Sequence, residues 1–188
     1  IREFGSGNSG TTNAMRTLGK KYGFMTFFGD ALKAVFAVGV TYLLFRNSCN
    51  DSLIAIALYT GLGTILGHNF PFYMNFKGGK GIAASSGVIF SLVFFDWKFL
   101  ALGLITFFVA LALTKYVSFS SLCLMTGFFL EMVIFGQLNM VHNLNQSEKL
   151  ESYILVGIMM VLSYIRHKDN IKRLVNGTER KIGQNKEA

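Results

Sequence analysis

The sequence predicts an all-α, polytopic membrane bundle of about six transmembrane helices joined by glycine-rich loops. Three observations predict it. Apolar residues make up 52% of the chain and charged residues only 15%, against about 25% charged in typical soluble domains. The apolar residues gather in six runs, most of them near the roughly 20 residues that a helix needs to cross a bilayer. The basic residues are shared unevenly between the connections, as in an oriented membrane protein. With 19 Phe and a single Pro, the composition is not that of a disordered chain.

Residues 1–22 are a polar, glycine-rich head, and the apolar runs follow at 24–45, 53–69, 82–95, 97–114, 118–136 and 152–165. The run at 82–95 is short, so it either extends back into the preceding glycines or is tilted or partly re-entrant. The only long outer connection is 137–151, polar and rich in Asn. An even number of spans puts both ends on one side, together with 67–81 and 114–117. Segments 1–22, 67–81, 114–117 and 166–188 hold fourteen of the 18 Lys and Arg, Lys186 among them, whereas Arg46, Lys98 and Lys149 fall opposite and Lys33 lies within a run. The rich side reads as cytoplasmic.

The acidic residues follow no such split. Asp51, Asp96, Glu148 and Glu151 fall outside, while Asp30 and Glu131 lie within runs. Asp30 and Lys33 are three apart, share a helix face and can pair, either toward the bundle interior or solvated near the headgroups. Cys49 and Cys123 form no metal-ligand spacing. The chain reads as one domain over 1–188. It begins with Ile1 and shows no signal peptide or leading apolar span, so its front is expected to be processed or truncated.

Every polar cluster falls on the basic side. In the first, Gly5 to Arg16, glycines and Asn tolerate positive φ and let backbone N–H groups converge on an anion. Ser6, Thr11, Thr12 and Asn13 add donors, and Arg16 can fork onto a phosphate. Alone, such a stretch is commonly a linker, and it lacks the strand and the Gly-Lys-Ser/Thr of nucleotide-binding loops. The second, Gly67 to Gly81, holds the only proline, His68, Phe70-Pro71-Phe72-Tyr73 in the manner of an interfacial anchor, and Lys77-Gly78-Gly79-Lys80-Gly81 before an apolar helix. Glycines there leave free N–H groups at the positive end of the helix dipole, although two lysines also suit a plain positive-inside loop. The third, Arg166 to Glu179, places His167 and Asn170 on one helix face, on a tail that anionic lipid would also attract. A smaller cluster, Lys115 to Ser121, offers serines of the kind that cap helices.

A transporter needs polar groups near the midplane. Here the chemistry gathers at one interface, which favours an enzyme that joins a soluble anion to a lipid-like substrate. A phosphate or organophosphate transporter is the alternative, and a non-enzymatic lipid-binding scaffold is a second. The positive charge of +8 is distributed for membrane and anionic substrates, not for nucleic acid.

At these clusters the chain closely resembles the bacterial acyl-phosphate:glycerol-3-phosphate acyltransferase family. The match rests on Gly5-Ser6-Gly7-Asn8, Gly10, Thr12-Asn13 and Arg16; on Gly67-His68, Pro71 and Phe76-Lys77-Gly78-Gly79-Lys80-Gly81; and on Arg166-His167, Asn170-Ile171, Arg173-Leu174 and Gly177-Thr178-Glu179. Thr11 stands where alanine is usual and Ala84 where threonine is common. The family has one more span before the first motif, so seven helices are expected in it and the first is missing here.

The resemblance implies that the 1-hydroxyl of glycerol 3-phosphate attacks an acyl phosphate, giving 1-acylglycerol 3-phosphate and phosphate, the first step of bacterial phospholipid synthesis. It implies a multi-pass protein of the bacterial inner membrane with its motifs facing the cytoplasm, and a functional link to a soluble enzyme that makes acyl phosphate. No cofactor or metal is called for. Ser6, Asn8, Thr12 and Asn13 are expected to hold the acyl phosphate with nearby backbone N–H groups of Gly7 and Gly10, and Lys77 and His167 to join them in catalysis. Arg16, Gly78, Gly79, Lys80, Ser118, Asn170 and Arg173 are expected to bind substrate, and His68, Glu179, Asp30 and Lys33 to brace the site. His167 is the best side-chain base, but the family reading lets the substrate phosphate take the proton. Losing Lys77 or Arg16 is expected to abolish transfer.

Overall fold

The computed structural model describes residues 1–49, 52–141 and 144–183. Asp51, Lys186 and the centre of the Asn-rich outer connection lie outside the described residues. Eight α-helices and no strand occur among those described: α1 (Thr11–Leu18), α2 (Lys20–Phe45), α3 (Leu53–Asn69), α4 (Ile82–Ser91), α5 (Trp97–Thr114), α6 (Val117–Gln137), α7 (Gln146–Arg166) and α8 (Lys168–Val175). Short 3₁₀ turns at Phe72–Met74 and Leu92–Phe94 precede and extend α4.

Each of the six predicted runs forms a helix. Four of them, those of α2, α3, α5 and α6, are long and apolar enough to cross a membrane. At 26 residues, α2 is about 39 Å long, and the 10 residues of α4 span about 15 Å, half the hydrocarbon thickness of a bilayer. α7 has the length, but its first turns carry Gln146, Glu148, Lys149 and Glu151.

Three expectations change. The head at 1–22 is not all loop, because α1 and the start of α2 occupy half of it. The outer connection shrinks to 138–145, since α7 begins at Gln146, where Asn145 takes the N-cap position. The serines at the mouth of α6 do not cap it. Ser120 and Ser121 donate instead to the carbonyls of Tyr116 and Val117 one turn back, at 2.9 and 2.8 Å, which satisfies hydroxyls buried between helices.

The core is an apolar interior shared by α3, α4, α6 and α7. Leu58, Val88, Met125, Phe128, Met132, Val156 and Met159 are all buried there, with Phe99 of α5 set edge-on to Phe128 at 6.0 Å between ring centres. The outward faces are equally greasy: Phe28, Leu32 and Phe36 of α2 and Leu104, Phe108 and Leu113 of α5 are exposed. A helix apolar all round belongs in lipid. α2 and α4 approach so closely that a Cβ at Gly87 would collide with the Ala31 carbonyl, the small-residue contact by which membrane helices pack.

Candidate functional site

Segments 1–22, 67–83, 117–121 and 167–180 meet at one end of the bundle around a cavity of about 180 Å³. The sequence placed these segments on one side, and here they share one site. Of the expected residues, Ser6, Asn8, Gly10, Thr12, Asn13, Arg16, Asp30, His68, Lys80, Ser118, His167, Asn170, Arg173 and Glu179 line it. Lys33, Gly78 and Gly79 line an adjoining cavity of about 300 Å³ that shares Asp30 and His68 with the first. Gly7 and Lys77 line neither, and Lys77 is exposed. Of the two lysines of this motif, Lys80 lines the first cavity and Lys77 stands outside both, although Lys77 is the one expected in catalysis.

The first motif is an internally braced loop that runs into α1. Asn13 is 1% exposed. Its Oδ1 accepts from the Ser6 amide at 2.8 Å, and its Nδ2 donates to the carbonyls of Ile1 and Phe4, each at 3.0 Å. Every hydrogen of that amide is committed to the loop, so Asn13 shapes the first motif, and the side-chain donors this motif leaves for the cavity include Ser6, Asn8, Thr11, Thr12 and Arg16.

The second motif folds back against the end of α3. The Gly78 amide donates to the Asn69 carbonyl at 3.1 Å, and a Cβ at Gly79 would collide with the His68 ring. His68 Nδ1 lies 2.8 Å from Lys33 Nζ and 3.2 Å from the Asp30 carboxylate, while Lys33 pairs with Asp30 at 2.7 Å. The Asp30–Lys33 pair read from the sequence thus extends to His68 and ties α2 to the loop. Lys80 leaves that loop and donates to Asn170 Oδ1.

The third motif organises the far wall. His167 ends α7, and Asn170 sits three residues on in α8, both buried. Glu179 returns to join them, accepting from Asn170 at 2.7 Å, Ser118 at 2.9 Å and Arg173 Nε at 2.7 Å. Burial raises the Glu179 carboxyl, but these three bonds and the Arg173 charge outweigh it and hold it below the usual carboxylate range.

The charge balance defines what fits. Arg16, Lys80, Arg173 and Arg180 face the cavity, and its two carboxylates, Asp30 and Glu179, are already paired. Burial, with the nearby Arg173 charge, pushes Lys80 down to about 8, still cationic at neutral pH. Burial and Arg180 also lower Arg16. His167 is pushed down to about 4 by burial and by Lys80, and is therefore neutral. Its Nδ1 lies 2.8 Å from the Ser163 carbonyl. Since a carbonyl can only accept, the proton sits on Nδ1 and leaves Nε2 bare. The cavity suits an anion that also carries a hydroxyl.

Two contributors escaped the sequence reading. Arg166 opens the third motif with no role expected of it, and its Nη2 donates to the carbonyls of Gly78 and Gly79. Arg180 lines the cavity, and nothing in the sequence singles it out from the other basic residues of the tail.

Comparison with known proteins shows the family. The family model described as glycerol-3-phosphate acyltransferase matches residues 1–177. Glycerol-3-phosphate acyltransferase 2 of Thermotoga maritima is 40% identical over 97% of this chain and 82% of its own length. The glycerol-3-phosphate acyltransferase of Clostridioides difficile is 40% identical over 100% and 84%. Among solved structures, PlsY (YgiH), an integral membrane glycerol 3-phosphate acyltransferase, superposes in its glycerol 3-phosphate form with a TM-score of 0.80 at 30% identity, covering 97% of this chain and 82% of that one. Its lysophosphatidic acid form gives 0.78 at 29% identity, with 95% and 81% covered.

Proposed function

The chain belongs to the glycerol-3-phosphate acyltransferase family, and on that premise we propose that the three-motif cavity is where it transfers an acyl group from acyl phosphate to the 1-hydroxyl of glycerol 3-phosphate. The observation that carries this reading is the charge balance: of the four cations facing the cavity only Arg173 is paired with a carboxylate, Glu179, while Asp30 is paired with Lys33, so Arg16, Lys80 and Arg180 are in surplus. Two phosphate-bearing substrates need such a surplus, because charge-assisted hydrogen bonds of about 1.5–3 kcal/mol each must offset the repulsion between them.

Lys80, Asn170, Arg173 and Arg16 hold glycerol 3-phosphate, and Ser6, Asn8 and Thr12, with the amides at the start of α1, hold the acyl phosphate. The 1-hydroxyl oxygen bonds to the acyl carbon, the bond from that carbon to the phosphate oxygen breaks, and phosphate departs. The hydroxyl proton goes to the substrate phosphate, whose second pKa of about 6 makes it a stronger base than an imidazole held at about 4. Nε2 of His167 accepts a hydrogen bond from the hydroxyl and orients it. Donors at the first motif receive the developing charge. Glu179, Asn13, Asp30 and His68 keep these groups in place.

We place the protein in the bacterial inner membrane as a single multi-pass domain with the cavity toward the cytoplasm. The concentration of basic residues at that end supports this, as does the solubility of one substrate and the lipid character of the other. The product, lysophosphatidate, leaves by way of the apolar helices. Purified protein supplied with glycerol 3-phosphate and either acyl phosphate or acyl-coenzyme A tests the donor. Lysophosphatidate and phosphate form in equal amounts from acyl phosphate; product from acyl-coenzyme A alone contradicts the reading.

A further inference from the structure

The second motif has a structural problem that its own backbone does not solve. Its Gly78-Gly79 pair has no side chains to anchor, and among the described residues no backbone amide donates to the two carbonyls. Both carbonyls accept instead from one nitrogen of Arg166, at 3.0 and 2.9 Å. Arg166 stands at the last position of α7, and its guanidinium lies 5.3 Å from the centre of the Phe70 ring. A planar cation on an aromatic face has few orientations open to it. The His68 ring also packs against Gly79 closely enough to exclude a Cβ. The glycine pair is thus held between the end of α3 and the end of α7, and Lys80 is the next residue.

We propose that Arg166 is a positioning residue that fixes the direction in which Lys80 enters the cavity, and through it the affinity for the anion of glycerol 3-phosphate. Because a trans peptide sets C=O and N–H on opposite sides, turning both carbonyls toward Arg166 also turns the Gly79 and Lys80 amides away from it. Without the arginine the glycine pair regains its wide conformational range, and Lys80 loses its fixed starting point. Arg166 does not line the cavity, so its effect travels through the loop. This inference rests on the reading that Lys80 holds glycerol 3-phosphate.

The test compares Arg166→Met, Lys80→Met and the double variant by steady-state kinetics in purified protein. In Arg166→Met the KM for glycerol 3-phosphate rises about tenfold, while kcat and the KM for the acyl donor stay within about threefold. In the Lys80→Met background the same change adds little, as expected when one residue acts through the other. Arg166→Lys, which keeps the charge but loses the planar fork and the stacking on Phe70, falls between, with a KM about threefold above the parent protein. If Arg166→Met does not fold, Arg166→Lys is judged by that rise. An unchanged KM in the Arg166 variants overturns the proposal and leaves the Lys80 reading intact. Multiplying effects in the double variant, or equal rises in both KM values, overturn it as well. An unchanged KM in Lys80→Met overturns the Lys80 reading and the proposal with it.

Discussion

The Asn170 amide donates to the Glu179 carboxylate at 2.7 Å, and the same asparagine accepts from Lys80 through its oxygen. Asn170 therefore relays between a cation from the second motif and an anion from the end of the third. Its two ends have opposite needs, which only an amide meets. An aspartate here would set a second carboxylate against Glu179.

Glu179→Gln removes the charge from this hub. Hydrogen bonds to charged groups contribute about 1.5–3 kcal/mol, so the expected loss is about 2 kcal/mol, or roughly 4–8 °C in Tm for a chain of this size. The pH dependence has a definite sign. Because the folded carboxyl is held below its usual range, the unfolded chain binds more protons as the pH falls. The stabilisation is complete above the unfolded pKa of about 4.3 and is lost as pH drops through the folded value. The Tm gap between the parent protein and Glu179→Gln should stay constant from neutral pH to about 5 and close below about 4.

His167→Gln separates orientation from proton transfer. The parent histidine is neutral at working pH, with Nε2 bare. If it orients the hydroxyl, kcat falls by less than about tenfold and the pH profile keeps its shape, whereas loss of a general base costs about 10²–10⁴-fold. Profiles of kcat from pH 5.5 to 8.5 decide between them.

Asn13→Asp tests the brace of the first motif. It replaces the two donors facing the Ile1 and Phe4 carbonyls with a carboxylate oxygen. Each carbonyl left without its partner costs about 1–3 kcal/mol. The loop should open to protease, and the KM for the acyl donor should rise more than that for glycerol 3-phosphate.

The helices and their shared polar end were legible because hydrophobic runs and charge asymmetry are local signals, and His167 and Asn170 because three-residue spacing fixes a helix face. Contacts between segments were not. Arg166 binds carbonyls of glycines 87 and 88 residues away, and glycines carry no side-chain pattern to announce a partner. Asn13 looked like a ligand because its chemistry allows it, and only the fold commits its amide to the loop. Lys77 and Lys80 are alike in the sequence and are separated only by the turn between them. The start of α7 is not legible in the sequence because its first turns carry Gln146, Glu148, Lys149 and Glu151, which share the polarity of the connection before them.

That pair of lysines gives the most direct test of the site. Lys80 lines the cavity and donates to Asn170, whereas Lys77 is exposed to solvent. The pKa of about 8 at Lys80 adds a sign: its charge fades above that pH, so the KM for glycerol 3-phosphate should climb from pH 8 to 9.5. The measurement is kcat/KM for glycerol 3-phosphate, across that range, in Lys80→Met and Lys77→Met. The site described above predicts a fall of about 100-fold or more in Lys80→Met with the alkaline climb abolished, and a change of less than about threefold in Lys77→Met. A Lys80→Met protein with near-parent kcat/KM, or a Lys77→Met protein that loses it, would contradict the placement of the reaction in this cavity.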